Sequence, residues 1–257
     1  MILQTASQLT LKPERIVSLV PSQTELLHYL GLDNETIGIT KFCIHPAHWF
    51  KTNTKIGGTK TINLDAINKL KPHLIIANKE ENLKEQIEQL AQTYPVWITD
   101  VNNLQDAIQM IEDIGRLIQK PEKAKDLINQ VKFNFANLVP LKTPLRTAYL
   151  IWQKPYMAVG GNTFINDMLT RCNFQNIFAY KKRYPQINIE DLQNSGCQLL
   201  LLSSEPYPFK QKHIEELAMK LPQTKILLVN GEMFSWYGSR LLMAPDYFNK
   251  LIKSFKI

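Results

Sequence analysis

Arg15-Ile16-Val17-Ser18-Leu19-Val20-Pro21-Ser22-Gln23-Thr24-Glu25-Leu26-Leu27-His28-Tyr29-Leu30-Gly31 is the stretch on which the fold turns. Its first six residues are a short, β-branched apolar run, the composition of a strand buried on both faces. Pro21-Ser22 breaks that run, helical periodicity follows from Thr24 to Leu30, and Gly31 stops it. Ser22 is the expected N-cap, with Glu25 three residues on as its capping-box partner. Strand, tight turn and helix in this order is the opening of an α/β unit with a parallel sheet.

Similar runs recur at 36–40, 73–77 and 96–99, most of them separated by helix-period segments. From 104 to 138 the pattern is helical almost throughout, and Pro121 suits the first turn of a new helix. The comparatively polar segment 122–138 fits a helix that bridges two lobes. A second α/β series opens at Arg146-Thr147-Ala148-Tyr149-Leu150-Ile151-Trp152. The expected organisation is an N-terminal lobe over 1–119, an inter-lobe helix over 120–140 and a C-terminal lobe over 141–257.

The halves echo one another. Asn63-Leu64-Asp65-Ala66-Ile67, Leu74-Ile75-Ile76-Ala77 and Glu80-Glu81 match Asn188-Ile189-Glu190-Asp191-Leu192, Leu199-Leu200-Leu201-Leu202 and Glu205 at a constant offset of 125. Gln86-Ile87-Glu88-Gln89-Leu90 returns as His213-Ile214-Glu215-Glu216-Leu217 with two residues inserted. Each copy reads helix, buried strand, acidic turn, amphipathic helix, as a duplicated lobe would.

Composition narrows the function. The 257 residues are 44% hydrophobic and 21% charged, ordinary for a globular chain. The net charge of +7 is spread along the sequence, without the basic, aromatic-rich runs of a nucleic-acid groove. Cys43, Cys172 and Cys197 are too few and too widely spaced for a disulfide framework or a CxxC metal pair. The N-terminus lacks a basic segment leading into an apolar run, and no stretch approaches 18 apolar residues. The chain is therefore expected either in the cytoplasm or without its leader. Neither GxSxG nor HExxH occurs, and no catalytic residue is assigned.

The candidate site residues gather in loops at expected strand ends, where ligands of open α/β sheets bind. Phe42, Cys43, His45 and His48 share one loop, and Gly57-Gly58 could bring backbone N–H groups close to a ligand. Trp152 and Tyr156 precede Gly160-Gly161, and Phe234, Trp236 and Arg240 follow the last expected strand. Aromatics with a few placed polar groups suit a large amphipathic ligand. Cys43, His45 and His48 are also zinc, copper or haem-iron ligand types. They keep open a second reading, a cytoplasmic metal-binding protein or metal-dependent enzyme built on that loop. Glu80 or Glu81, and Glu205, either offset helix dipoles or pair with arginines of a two-fold symmetric partner.

The segment from Arg15 to Leu26, with Ile37-Gly38-Ile39-Thr40, Leu70-Lys71-Pro72-His73-Leu74-Ile75-Ile76-Ala77 and Gly238-Ser239-Arg240 in order, resembles the cobalamin and ferric-siderophore substrate-binding proteins of ABC importers. The likeness covers nearly the whole chain. It implies two Rossmann-like lobes with mainly parallel sheets, joined by one long α-helix and closing little on binding. It also implies a non-enzymatic monomer without a resident cofactor. Such a protein would carry a cobalamin-like, ferric-siderophore or haem cargo to an ABC permease dimer, in the periplasm or at the cell surface. By position, Pro21, Phe42, Cys43, Gly58, Trp152, Tyr156, Phe234, Trp236 and Arg240 would line the cleft. Glu80 or Glu81, and Glu205, would be the permease-docking acids. The family is normally exported, and its cleft needs fewer metal-ligand types than the Cys43 loop supplies.

Overall fold

The computed structural model describes residues 1–254, which divide into two compact units. The first comprises Met1–Val101, Gln105–Lys132 and Tyr237–Leu242; the second comprises Asn102–Leu104, Phe133–Trp236 and the described residues from 243 onward. The segment Tyr237–Leu242 thus belongs to the first unit, although it follows the second unit's last strand. A buried ion pair from Arg240 to Glu25 holds it there.

The first unit is built on six strands: β1 (Ile2–Leu3), β2 (Ile16–Ser18), β3 (Thr36–Ile39), β4 (Thr54–Lys55), β5 (Leu74–Asn78) and β6 (Val96–Thr99). They form one sheet in the order β1-β6-β5-β2-β3-β4, and every pairing is parallel. Its helices are α1 (Pro21–Tyr29), α2 (Ala47–Thr52), α3 (Leu64–Leu70), α4 (Lys84–Ala91), most of α5 (Leu104–Leu117) and the start of α6 (Pro121–Ala136). Ile16, Val17, Leu74, Ile75, Ile76, Ala77 and Val96 have no exposed surface. Continuous apolar strands are what a sheet covered on both faces requires. Each such branched side chain contributes about 1.5–3 kcal/mol by leaving water.

α6 packs on this unit through Ala124, Leu127, Ile128 and Val131, spaced at helical intervals. From Phe133 onward its residues belong to the second unit. The sequence underrated that apolar stripe because polar residues surround it. The cap of α1 also differs from the expected one. Val20 is the N-cap, without a side-chain bond, and Pro21 is the first helical residue. Proline has no N–H to satisfy there, so a serine cap is not needed. Ser22 and Gln23 lie inside the helix, and Glu25 pairs with Arg240 instead of closing a capping box.

The second unit holds β7 (Leu145–Trp152), β8 (Tyr156–Ala158), β9 (Phe174–Asn176), β10 (Gln186–Ile187), β11 (Leu199–Ser203) and β12 (Lys225–Val229). The order is β10-β8-β7-β11-β12, with β9 also on β7. Only β8 runs antiparallel to its neighbours β7 and β10. Its helices include α7 (Phe164–Arg171), α8 (Ile189–Asn194), α9 (Gln211–Ala218), α10 (Gly231–Ser235) and α11 (Ala244–Lys253). Leu199, Leu200, Leu201 and Leu202 are wholly buried, like their counterparts on β5.

The echo is structural. α3 and α8 begin 125 positions apart, at Leu64 and Ile189, and β5 and β11 match at both ends. α4 and α9 begin 127 apart, so the two inserted residues fall in the loop after β11. Asn63 caps α3 and Asn188 caps α8, each through its side-chain oxygen. Among the described residues, no helix is long and apolar enough to cross a membrane.

Candidate functional site

An open parallel sheet binds ligands beyond the carboxyl ends of its strands, where successive connections turn to opposite sides. In the first unit that point lies between β2 and β5, since β3 and β4 extend to one side and β6 to the other. Two segments meet there: the β2–α1 turn, and the loop Lys79-Glu80-Glu81-Asn82 after β5. The Asn78 side chain ends β5, and its Oδ1 accepts the amides of Glu80 (2.8 Å) and Glu81 (3.1 Å). Asn82 Oδ1 accepts the Asn78 amide at 2.8 Å, and Asn82 Nδ2 donates to the Thr59 carbonyl at 3.0 Å. These bonds fix both half-buried acids at the strand end.

Tyr237 packs at the same place. Burial pushes its phenol well above the usual range; the charges of Glu81 and Glu80 add to this, while hydrogen bonds from Ser22 and Gln23 oppose it. Arg240 reaches Glu25 through Nε–Oε2 at 3.1 Å and Nη2–Oε1 at 2.6 Å. Both side chains are largely buried, so the guanidinium is spent on this fork.

In the second unit the turning point lies between β7 and β11. Ser203, the counterpart of Asn78, ends β11, and its Oγ accepts the Glu205 amide at 3.3 Å. The Tyr149 hydroxyl stands 3.1 Å from that Oγ. Glu205 is the counterpart of Glu80. Its Oε1 accepts Ser235 Oγ at 2.6 Å and Trp236 Nε1 at 2.9 Å. Gly231, the first residue of α10, makes this contact possible: a Cβ there would meet Ser203 Oγ at 2.4 Å and Glu205 Cγ at 2.7 Å. Burial raises the Tyr149 phenol beyond the usual range, and the Glu205 charge raises it further against the Ser203 bond. Each unit thus sets a buried tyrosine beside the acid that follows its central strand.

The residues expected to line a cleft divide on inspection. Pro21 opens α1 and is half-buried, as is Tyr156. Phe42 and Trp152 are exposed. Gly58 is buried against the Phe42 ring, which a Cβ would meet at 3.2 Å. Trp152 stacks edgewise on Tyr207, whose hydroxyl donates to Gln153 at 2.8 Å. Phe234, by contrast, is core, packed against Tyr149 and Phe248 with no exposed surface. Trp236 is buried and acts by holding Glu205, and Arg240 by holding Glu25. The aromatic loop around Phe234 carries no period that separates inward from outward side chains, so its reading failed there.

Cys43 is a further correction. It has no exposed surface, and the Thr24 and Thr40 hydroxyls each lie 3.1 Å from its sulfur. Burial raises its thiol pKa, against those hydrogen bonds, so the reactive thiolate is disfavoured. It neither lines a surface nor meets His48 as a metal ligand. Glu80, Glu81 and Glu205, the expected docking acids, are each half-buried, and Glu205 is held by Ser235 and Trp236. Gln23, Asn78, Tyr149 and Ser203 were missed, while Ser235 and Tyr237 fall in the loop after the last expected strand but were given no role of their own. Only the offset-125 match of Asn78 with Ser203 signalled any of them.

A family model described as "Periplasmic binding protein" matches residues 16–220, a span that takes in both of these strand ends. The chain belongs to this periplasmic binding protein family. Among its relatives is the vitamin B12-binding protein of Photorhabdus laumondii subsp. laumondii, 26% identical over 239 residues, 91% of this chain and 86% of the relative. The crystal structure of the periplasmic vitamin B12-binding protein of Vibrio cholerae superposes with a TM-score of 0.77 at 21% identity. The match covers 94% of this chain and 97% of that one. A periplasmic haem-binding protein from Pseudomonas aeruginosa gives 0.80 at 18% identity, covering 95% and 92%. At these identities the structural likenesses establish the fold alone. The two-unit α/β architecture with mainly parallel sheets is the family's. Membership places the protein in a class that binds and transports, and does not favour the metal enzyme built on Cys43, His45 and His48.

Proposed function

We propose that this protein captures a cobalamin-like metal chelate and delivers it to an ABC permease, working in the periplasm or at the cell surface as a monomer. The observation that carries the choice of cargo is the charge at the two strand ends. Half-buried Glu80 and Glu81 follow β5 in the first unit and half-buried Glu205 follows β11 in the second, while Arg240 is paired with Glu25. Carboxylates accept hydrogen bonds from neutral amides, which fringe a corrinoid, but repel the propionates of haem or the anionic arms of many siderophores. The vitamin B12-binding relatives support the same choice. Phe42 in the first unit and Trp152 in the second are each exposed, the kind of apolar face on which a macrocycle packs. No chemistry on the cargo and no resident cofactor is needed.

Titration of tryptophan fluorescence with cobalamin, haem and a ferric hydroxamate tests this. Cobalamin is expected to bind at micromolar concentration or tighter and to outcompete the other two. Binding of haem alone would reject the cargo assignment, and binding of none would reject the transport reading.

For permease docking, a second pair of acids stands beside Glu80 or Glu81 and Glu205. Asp65 and Glu190 stand at the same position of the two echoed helices, in the first turn behind an asparagine cap, and both are exposed. Paired exposed carboxylates suit arginines on a two-fold symmetric partner. Asp65→Lys and Glu190→Lys are expected to leave cobalamin affinity intact and to abolish permease capture. Unchanged capture would return the role to the strand-end acids.

A further inference from the structure

Outside the cargo site, one cluster of ligand-type side chains has been drawn together from three separate segments of the first unit. His28 lies in the last turn of α1, Asp33 in the turn that follows, and His48 in the first turn of α2. Their ligand atoms all lie within 4.8 Å of one another. Asp33 Oδ1 is 3.1 Å from His28 Nδ1 and 3.7 Å from His48 Nε2. The two imidazoles meet edgewise with centroids 5.1 Å apart.

The backbone builds this arrangement. The Gly31 amide bonds the His28 carbonyl at 2.8 Å and the Leu32 amide bonds the Leu27 carbonyl at 3.1 Å, with Gly31 at φ +85°. This is a Schellman closure, and it folds Asp33 back beside His28. From the other side, buried Trp49 donates Nε1 to the same Asp33 oxygen at 3.1 Å and packs edgewise on His28. Slight burial pushes the Asp33 carboxyl up, but the bonds from His28 and Trp49 outweigh it and hold the pKa below the usual value. The carboxylate is therefore fixed in place and flanked by two imidazoles.

We propose that His28, Asp33 and His48 form a site for a first-row divalent cation, zinc or copper, that clips α2 to the end of α1. Two imidazole nitrogens and one carboxylate oxygen are borderline ligands that suit these ions, and water completes the shell. With metal–nitrogen bonds of about 2.0–2.1 Å, tetrahedral ligand atoms lie about 3.3 Å apart. Binding an ion requires the ligand atoms, now within 4.8 Å of one another, to draw in to that spacing, and the exposed His48 side chain is the one with room to move. A ring nitrogen that donates to Asp33 must release its proton to the solvent before it can bind the ion. The site differs from the Cys43, His45 and His48 set, because the Cys43 sulfur is buried elsewhere. It also stands independently of the cargo reading.

The test is calorimetric titration of the full chain with zinc chloride, and separately with copper chloride, without chelator. One ion per chain is expected to bind at micromolar concentration and raise the melting temperature. His48→Ala and Asp33→Asn are each expected to weaken binding at least about 10-fold. His45→Ala, three residues earlier in the loop that leads into α2, serves as the matched control and keeps wild-type affinity. His48 is exposed, so its removal leaves folding intact, which circular dichroism of each variant verifies. Absence of stoichiometric binding below about 100 μM, a range still worth some 5 kcal/mol, overturns the proposal. Retention of wild-type affinity by either variant overturns it equally.

Discussion

Arg240 illustrates how much one residue's role depends on its partner. Read along the chain, it was one of the polar groups expected to line a cleft for a large amphipathic ligand; in the fold it is buried against Glu25. Removing one member of such a pair strands the other charge in a poorly solvated place. Arg240→Ala is expected to cost about 3–5 kcal/mol in urea unfolding, with the double variant Glu25→Gln, Arg240→Met recovering much of it. A loss below 1 kcal/mol would mean that the pair is solvated. The cysteines give a second prediction at this scale. Burial pushes the Cys172 thiol up to about 12 and that of Cys197 to about 11, from 9.0. An acid whose pKa is raised by folding favours the native state only while it stays protonated. Its stabilising contribution is complete below pH 9 and fades as pH rises towards 11–12. Unfolding free energy is expected to fall across that window, and less steeply in Cys172→Ala. The same burial predicts no native reaction with a thiol reagent and three reactive thiols per chain in denaturant.

Among the elements, helix ends were the least legible and are the most informative. The alternation of strand and helix was plain because β-branched runs and 3.6-residue periods are local signals. Which residue caps α1 was not, because Pro21 removed the need for a cap and Arg240, 215 positions from Glu25, claimed the expected partner. The Schellman closure at Gly31 is local and was visible as a stop signal, yet its consequence, Asp33 set over His28, depends on Trp49 from another helix. Gly31→Ala is expected to cost about 1–2 kcal/mol, since an L-residue is strained at that positive φ. The same substitution is expected to loosen the Asp33 turn and lower zinc affinity, measured in one titration. At α8, Asn188 and Asp191 form a reciprocal capping box. Asn188→Ala is expected to cost about 1 kcal/mol in the second unit.

For the whole molecule, binding of cargo to the native state alone must raise its stability. Cobalamin at 100 times its dissociation constant is expected to add about 2.7 kcal/mol, read as a concentration-dependent rise in melting temperature. No rise at saturating cobalamin, with binding otherwise detected, would mean that the unfolded chain binds as well. By itself the sequence determined the α/β class, the duplicated helix–strand–acid–helix unit and the family likeness. All three rest on short-range periodicity or on matches at constant offset, which need no knowledge of contacts. Only the tertiary structure decided that Tyr237–Leu242 joins the first unit, that Cys43 and Phe234 are core, and that Glu205 is held by Trp236. Burial and hydrogen-bond partners are properties of residues brought together across tens to hundreds of positions, and no local pattern encodes them. The turn after Val20 was legible as a turn; that Glu25 just beyond it serves an arginine near the other end of the chain was a matter for the fold.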